Sequence, residues 1–275
     1  MAGTTWLFRR TVRRWNSDKK HHDMRPIWHT TLQTMLMAAM LAACTAATQD
    51  HPAELGGLEL PACDDSEDIV IHRGYTASYN HTTLTPDWVA WELTAEESRG
   101  ECNGTYSFSR DPQVSFPKAS REDYSYSGWD KGHMAPRADM KWSEKALEES
   151  YYFTNICPQD HTMNSGAWRK IEELTRRVAR EYGTVYVVCG PVHGSGQYGQ
   201  AGSVSVPDAF FKALAVMTGN GYRTVGFLVE NNKQTGTPRK YAVSVDSVEA
   251  VVGRDLFPLL PEEAEASFDW NEWNK

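Results

Sequence analysis

The sequence lacks an apolar run long enough to cross a bilayer, because a spanning helix needs about 20 consecutive apolar residues. It also lacks internal repeats and low-complexity blocks. With 40% hydrophobic and 23% charged residues, it differs from disordered, collagen-like and multi-span membrane chains. Basic residues are the minority, 28 Lys and Arg against 36 Asp and Glu, which argues against a polyanionic ligand. Its 275 residues suffice for one large domain or two small ones.

The charge is distributed unevenly along the chain. Residues 1–43 hold seven basic and two acidic side chains, a net charge of +5, so the remainder has 21 basic and 34 acidic residues and a net charge of −13. Residues 32–44 form a short, mostly apolar stretch that ends in small residues, as a signal peptide does. The ending Leu41-Ala42-Ala43-Cys44 resembles the lipobox of bacterial lipoproteins, in which the cysteine is lipidated.

We therefore expect residues 1–43 to be a removable, lipoprotein-type signal peptide that directs export to the cell envelope, in the periplasm or on the surface. Because the basic region is long, Met24 is an alternative start of translation. The competing interpretation is that the apolar stretch is a buried helix of the globular domain.

The sequence has only five cysteines. If Cys44 carries lipid, four remain, an even number compatible with two disulfides in an exported protein. Cys63 and Cys102 lie in loop-like sequence and are the favoured bridge, whereas Cys157 and Cys189 lie in apolar, strand-like surroundings. Structural zinc is an alternative, although no C-x2-C pair is present. Its four ligands would be Cys157, His161, Cys189 and His193.

Composition divides the mature chain into two parts. Residues 44–68 are rich in Pro, Gly and acidic residues and are predicted to be a tether. Residues 69–275 are predicted to form one domain. Its predicted strands are Ile69–His72, Tyr75–Tyr79, Trp88–Leu93, Thr184–Cys189, Ala213–Met217, Thr224–Val229 and Tyr241–Ser244. Its predicted helices are Ser143–Ser150, Ser165–Tyr182 and Val245–Gly253. Because strands and helices do not alternate regularly, the fold class is α+β.

Two segments concentrate residues capable of chemistry. The first is residues 129–140, with an Asp-Lys-Gly-His sequence that we interpret as a turn, and the second is residues 155–176. At about 100° per residue, the predicted helix has an apolar face and, beside it, a polar strip at four-residue spacing. The apolar face comprises Ala167, Ile171, Leu174 and Val178, and the strip comprises Asn164, Trp168, Glu172 and Arg176. Alternatively, Glu172 and Arg176 are merely a surface ion pair.

Together these segments resemble the DNA/RNA non-specific endonucleases of the ββα-metal (His-Me finger) group, which includes secreted bacterial nucleases and mitochondrial endonuclease G. The resemblance covers most of the chain from about residue 70. The residues that carry it are Asp130-Lys131-Gly132-His133 with Pro136, Asn155-Ile156-Cys157-Pro158-Gln159, and Asn164, Trp168 and Glu172. It implies a mixed, mainly antiparallel central sheet with flanking helices and a ββα-metal active-site motif.

The resemblance also implies roles for individual residues. His133 would be the general base, Asn164 the direct ligand of a divalent cation, and Glu172 would hold metal-bound waters. The cation would be Mg²⁺, with Mn²⁺ or another divalent ion able to substitute. Lys131 and Arg176 would assist catalysis. Substrate contacts would come from Lys131, Arg110, Arg137 and Arg169. The expected substrates are DNA and RNA, and the expected assembly is a monomer or homodimer attached to a membrane through Cys44.

Two positions depart from the family pattern. Lys131 replaces the usual arginine and cannot make its bidentate contact. An arginine used by some members aligns with Tyr106, with Arg110 nearby. Two rival functions remain: a catalytically weak nucleic-acid-binding surface lipoprotein, and a zinc-bearing envelope protein. The acidic total does not exclude a polyanionic substrate, because local potential governs encounter and basic residues surround both segments.

Overall fold

The computed structural model describes residues 57–194 and 196–273. Backbone contacts group these described residues into one compact unit. The strands are β1 Asp68–Ile71, β2 Thr76–Asn80, β3 Thr85–Thr94, β4 Asp130–His133, β5 Ile156–Gln159, β6 Thr184–Val192, β7 Gln200–Ala201, β8 Val204–Ser205, β9 Ala209–Thr218, β10 Gly221–Glu230 and β11 Ala242–Val243.

The helices are α1 Arg121–Tyr124, α2 Glu144–Glu149, α3 His161–Met163, α4 Arg169–Tyr182, α5 Val245–Val252 and α6 Trp270–Trp273. A π-helical segment, Asn164–Trp168, joins α3 to α4 without a break. Short 3₁₀ turns occupy Glu97–Arg99, Arg137–Asp139, Phe153–Asn155, Pro238–Tyr241 and Glu262–Ala264. No helix in the described part of the chain is long and apolar enough to cross a membrane.

The main sheet has seven strands in the order β1-β2-β3-β6-β9-β10-β11, and every neighbouring pair is antiparallel. These are the seven strands expected from sequence, so the α+β class is confirmed. Strands β4 and β5 form a separate pair, as do β7 and β8. None of these four strands was predicted from the strand pattern of the sequence, although the ββα motif implied by the family resemblance includes a strand pair such as β4 and β5.

Alternate residues of the central strands face two different layers. On β9, Phe210 and Leu214 pack in the same apolar cluster as α4, whereas Phe211 and Ala213 pack in the cluster that contains α5. The sheet therefore lies between α4 on one face and α5 on the other. This packing holds α4 against one face of the sheet. Strands β4 and β5 lie next to the helical segment that leads into α4.

Residues 57–68, which belong to the predicted tether, contact this domain. Glu67 accepts hydrogen bonds from the Trp88 indole at 2.9 Å and from Arg254 at 2.8 Å. The Ala62 backbone N–H donates to the Asp255 carbonyl at 2.9 Å. The predicted signal peptide, the lipidation site Cys44 and the first part of the tether lie outside the described residues.

Candidate active site

The Asp-Lys-Gly-His sequence of the first segment, residues 130–133, forms strand β4 and not the turn expected from sequence. Strand β4 pairs antiparallel with β5, with Asp130 opposite Gln159 and His133 opposite Ile156. A Cβ at Gly132 would lie 2.0 Å from the Gln159 amide oxygen, so only glycine fits beside that buried side chain. The Asn155 amide, which both donates to and accepts from the Ala135 backbone, fixes the chain just after His133.

The helix that completes the unit begins four residues earlier than predicted. The Asp160 carboxylate accepts from the Thr162 and Met163 backbone N–H groups at 2.9 and 3.0 Å and so caps α3. The helix then widens to a π-helical segment, where the Ala167 N–H donates to the Gln234 carbonyl, outside the helix, at 3.1 Å. Such π segments are frequent at functional sites. Gly183, at φ 88°, ends α4 as expected.

The predicted polar strip of this helix faces the residues around β4. The Asn164 amide nitrogen donates to Asp130 at 3.0 Å, and the Trp168 indole donates to the His133 carbonyl at 3.3 Å. One turn beyond Glu172, Arg176 donates to the buried Asp139 at 2.8 Å. The alternative surface pair between Glu172 and Arg176 is therefore wrong: Arg176 pairs with Asp139.

His133 has an apolar environment. Its ring lies 5.4 Å from the Phe108 ring and 5.2 Å, edge-on, from that of Tyr151. Burial, with help from the positive charge of Arg137, lowers the pKa of His133 to about 4. Its Nε2 atom is buried and has no hydrogen-bond partner among the described residues. The imidazole is thus neutral at pH 7, with a ring nitrogen available to take a proton.

The orientation of Asn164 follows from its neighbour. A carboxylate only accepts hydrogen bonds, so the amide nitrogen must be the atom that faces Asp130, and the amide oxygen points elsewhere. Asp130 also contacts the exposed His161 ring at 2.9 Å. An amide oxygen is the kind of ligand that a hard divalent cation accepts. Asp130 thus positions Asn164.

Glu172 is accompanied by a lysine, Lys212, that was not among the site residues predicted from sequence. Burial raises the pKa of Glu172 to about 7, opposed by the charge of Lys212. Lys212, on β9, is 0% exposed and its ammonium lies 4.7 Å from the ring centres of both Trp91 and Trp168. The sequence does contain a signal for this residue, because Lys212 lies within a run of apolar strand residues. Lysine is almost never fully buried unless it is paired, so a lysine in such a run indicates a buried partner.

The remaining predicted site residues occupy different surroundings. Lys131 lies over the rings of Phe108 and Tyr124, at 5.8 and 5.7 Å. Arg137 donates to the Gly104 carbonyl at 3.3 Å. Two others are engaged in exposed ion pairs: Arg110 with Glu122 at 3.8 Å, and Arg169 with Glu173.

The cysteines neither pair nor gather a metal in the described structure. Cys63, Cys102, Cys157 and Cys189 are all free thiols, so the favoured Cys63–Cys102 bridge is absent. Backbone hydrogen bonds anchor the two segments to different places, Cys102 to Lys141 and Ala62 to Asp255. Burial raises the pKa of Cys189 to about 12, which disfavours the thiolate that zinc needs. Among the described residues, the ligand set proposed for zinc does not converge within 4.8 Å.

Two short strands followed by a helix, with a neutral histidine on the first strand and the Asn164 amide on the helix, define a nuclease of the ββα-metal class. The sequence profile of the DNA/RNA non-specific endonuclease family matches residues 62–263, and the chain belongs to this family. Its members are phosphodiester hydrolases that generally use a divalent cation.

Individual relatives agree with this family. The chain is 32% identical to the mitochondrial nuclease EXOG of Danio rerio over 210 residues, covering 70% of this chain and 61% of that protein. It is 30% identical to the mitochondrial endonuclease G of Bos taurus over 237 residues, covering 80% and 78%. A chain from a crystal structure of an EndoG/EndoGI complex superimposes with a TM-score of 0.66 at 26% identity, covering 74% of this chain and 90% of that one.

Proposed function

We propose that the chain is an endonuclease that cuts the phosphodiester bonds of DNA and RNA without sequence specificity. The observation that carries the proposal is the neutral His133 imidazole, with an unpartnered Nε2, in the same ββα unit as Asn164, whose amide nitrogen contacts Asp130 and leaves the amide oxygen out of that contact. Contacts to the sugar-phosphate backbone carry no base information, so sequence readout is not expected.

In the proposed reaction His133 acts as the general base. Its Nε2 takes a proton from a water molecule, whose oxygen then forms a bond to phosphorus. The bond from phosphorus to the 3′ oxygen breaks and leaves a 5′-phosphate, and the departing 3′ oxygen takes a proton from a solvent water to become a hydroxyl. The low pKa of His133 keeps the ring in its proton-accepting form across the neutral range.

The residues present fit a hard divalent cation, and we propose Mg²⁺, with Mn²⁺ or another divalent ion able to substitute. Asn164 would be the direct ligand through its amide oxygen, and Glu172 would hold waters bound to the ion. When bound there, the cation neutralises charge on the phosphate and stabilises the departing oxygen. Asp130 orients Asn164, and Lys212 favours the charged form of Glu172.

Basic side chains would hold the substrate backbone. We propose that Lys131 and Arg137, which neighbour His133, contact phosphates, and that Arg176 acts by holding Asp139 beside Glu172. Arg110 and Arg169 can exchange their exposed ion pairs for phosphate at little cost, because such pairs contribute only about 0–1 kcal/mol. Lys131 keeps the positive charge of the family arginine, so we expect altered rate or preference and retained activity.

The test uses the purified full chain with three substrates: plasmid DNA, single-stranded DNA and RNA. We expect all three to be cut at many positions in Mg²⁺, and none to be cut in EDTA. If the chain slows the migration of all three substrates in a gel-shift assay but cuts none of them in Mg²⁺, the result would instead support the rival function, a nucleic-acid-binding surface lipoprotein. Cutting that persists in EDTA would contradict the role given to the cation.

We also propose that the protein is exported and attached to a membrane by lipid on Cys44. The support is the sequence alone: a basic start, a short apolar stretch and a lipobox-like ending. Mass spectrometry of the mature N-terminus should find a lipidated Cys44. The Cys44→Ser variant should move from the detergent phase to the aqueous phase. A mature protein that begins elsewhere and carries no lipid would contradict this proposal.

A further inference from the structure

A cluster of three carboxylates lies on the α5 side of the sheet. Glu249 is on α5, Asp255 is in the loop that follows it, and Glu265 follows the 3₁₀ turn Glu262–Ala264. One ligand oxygen from each lies within 4.8 Å of the other two. Helix α5 packs on the opposite face of the sheet from α4, so this cluster is separate from the nuclease site. Glu265 also lies beyond residues 62–263, the part matched by the family profile.

One buried carboxylate oxygen of this cluster lacks a hydrogen-bond partner among the described residues. Glu265 is 5% exposed, and its Oε1 atom is buried without a hydrogen-bond partner among the described residues. An unsatisfied buried carboxylate oxygen is costly, because it loses its water without gaining a replacement. Within residues 57–194 and 196–273, neither Lys nor Arg forms an ion pair with any of the three carboxylates. The nearby Arg254 is paired with Glu67 instead.

The backbone around the cluster is well braced. The Leu256 N–H donates to Glu249 at 2.7 Å, and the Phe257 N–H donates to Asp255 at 3.2 Å. The carbonyl of Glu265 accepts from the Asp246 N–H at 3.4 Å. Gly253, at φ 68°, ends α5 and turns the chain toward Asp255. Three separate pieces of backbone thus bring their carboxylates together despite the repulsion between like charges.

We propose that Glu249, Asp255 and Glu265 form a second divalent-cation site that takes Ca²⁺ and is structural in role. Ca²⁺ accepts carboxylate oxygens at 2.3–2.6 Å in flexible geometry, whereas Mg²⁺ demands a near-ideal octahedron at 2.0–2.1 Å and keeps several of its waters. Three carboxylate oxygens that lie within 4.8 Å of one another can close on one Ca²⁺ by small side-chain movements. A bound ion would satisfy the orphan oxygen and offset the added negative charges of Asp246 and Glu262.

The experiment measures calcium binding by calorimetry, and thermal unfolding with and without CaCl₂, on the full chain carrying Asn164→Ala. This background removes the direct ligand of the active-site cation, so the readouts do not depend on cleavage or on the proposed function. We expect one Ca²⁺ per chain and a higher Tm in calcium. Glu265→Gln should weaken binding at least tenfold, whereas Glu263→Gln, an exposed neighbour, should leave it unchanged.

Two results would overturn the proposal: an Asn164→Ala chain that neither binds calcium nor gains Tm, or a Glu265→Gln chain that binds calcium as tightly as its parent. The first result would mean that the carboxylates merely share a proton. Should Glu265→Gln fail to fold, Asp255→Asn tests the same site at an exposed position, and undiminished binding there contradicts the proposal equally. In Mg²⁺, Glu265→Gln with Asn164 intact should keep wild-type nuclease activity.

Discussion

Single side chains set the protonation states on which the proposed chemistry depends. Burial moves two pKa values in opposite directions, that of His133 down to about 4 and that of Glu172 up to about 7. In each case burial favours the neutral form, which for histidine is the base and for glutamate is the acid. The histidine is therefore ready to accept a proton at neutral pH, whereas the glutamate becomes charged only near pH 7.

The raised pKa of Glu172 predicts a pH-dependent requirement for the cation. The carboxylate form holds the metal-bound waters, and with a pKa of about 7 it is the minor form at pH 6 and the major form at pH 8. We expect the Mg²⁺ concentration for half-maximal cleavage to be about tenfold higher at pH 6 than at pH 8. Titration of Mg²⁺ at both values checks this expectation. Equal requirements at the two pH values would contradict it.

Lys212 should act through Glu172. Its ammonium opposes the effect of burial on Glu172, so Lys212→Met should raise the pKa of that carboxyl further and raise the Mg²⁺ concentration for half-maximal cleavage at pH 7 several-fold. Activity should recover toward wild type at pH 9, which a purely structural role would not produce. The control is Lys170→Met, a lysine on α4 whose ammonium contacts the Thr235 carbonyl. A pH profile unchanged by Lys212→Met would argue against this positioning role.

At the scale of elements, the site is a strand pair clamped to a helix. Strand β4 is held by β5 on one side and, through Asn164 and Trp168, by the helix on the other. The pair leaves no space beside Gly132, where an added Cβ meets Gln159. The position of His133 thus depends on a close approach between two neighbouring strands.

Gly132→Ala should disturb this close approach, and a second substitution at Gln159 should restore it. The added methyl would displace β4 or Gln159, and a shift of about 1 Å at a catalytic group costs up to about 100-fold in rate. Gln159→Ala removes the obstructing amide, so the double variant should recover most of the lost activity, with Gln159→Ala alone as the control. Full activity of Gly132→Ala, or a double variant as slow as the single one, would contradict the steric explanation.

Some elements were predictable because a regular pattern encodes them. The long strands alternate faces, and α4 carries its apolar face and polar strip at helical spacing, so both were correctly predicted. Strands β4 and β5 have four residues each, with Gly132 in one and Pro158 in the other, and depend on pairing across a long connection. The π-helical segment depends on the carbonyl of Gln234, far along the chain. Tertiary contacts decide such features, so local sequence does not encode them.

At the scale of the whole molecule, a buried ionic cluster links the start of the sheet to α2. The ring of His72 contacts Asp111 at 2.7 Å and Glu149 at 3.8 Å, and Thr154 donates to Asp111 at 2.6 Å. Burial disfavours the charged ring, but the two carboxylates outweigh it and raise the pKa of His72. The same contacts lower the pKa values of Asp111 and Glu149, although burial opposes this.

His72→Ala should destabilise the fold in a pH-dependent manner. Removing the imidazole leaves a buried carboxylate unpaired, which costs about 3–5 kcal/mol. Because the folded-state pKa of His72 is raised, its stabilisation is full below the unfolded value of 6.5 and is lost as pH rises through the folded value. The difference in unfolding free energy between wild type and variant, measured in urea, should shrink from pH 6 to pH 9.

The control for this measurement is Gln113→Ala, which removes an exposed partner of the same ring at 3.1 Å. It should cost much less, because no buried charge is left unpaired. A difference between wild type and His72→Ala that is constant over this pH range would contradict the ionic role of His72.

The most direct test of the proposed function is the rate at which His133→Ala cuts plasmid DNA in saturating Mg²⁺, beside wild type and a control histidine variant. The control is His193→Ala, which removes a histidine bonded to Thr85 outside the ββα unit. We predict that His133→Ala is slower by about 10²–10⁴-fold, as for loss of a general base, and that His193→Ala stays within a few-fold of wild type. A His133→Ala chain that cuts at the wild-type rate would contradict the account.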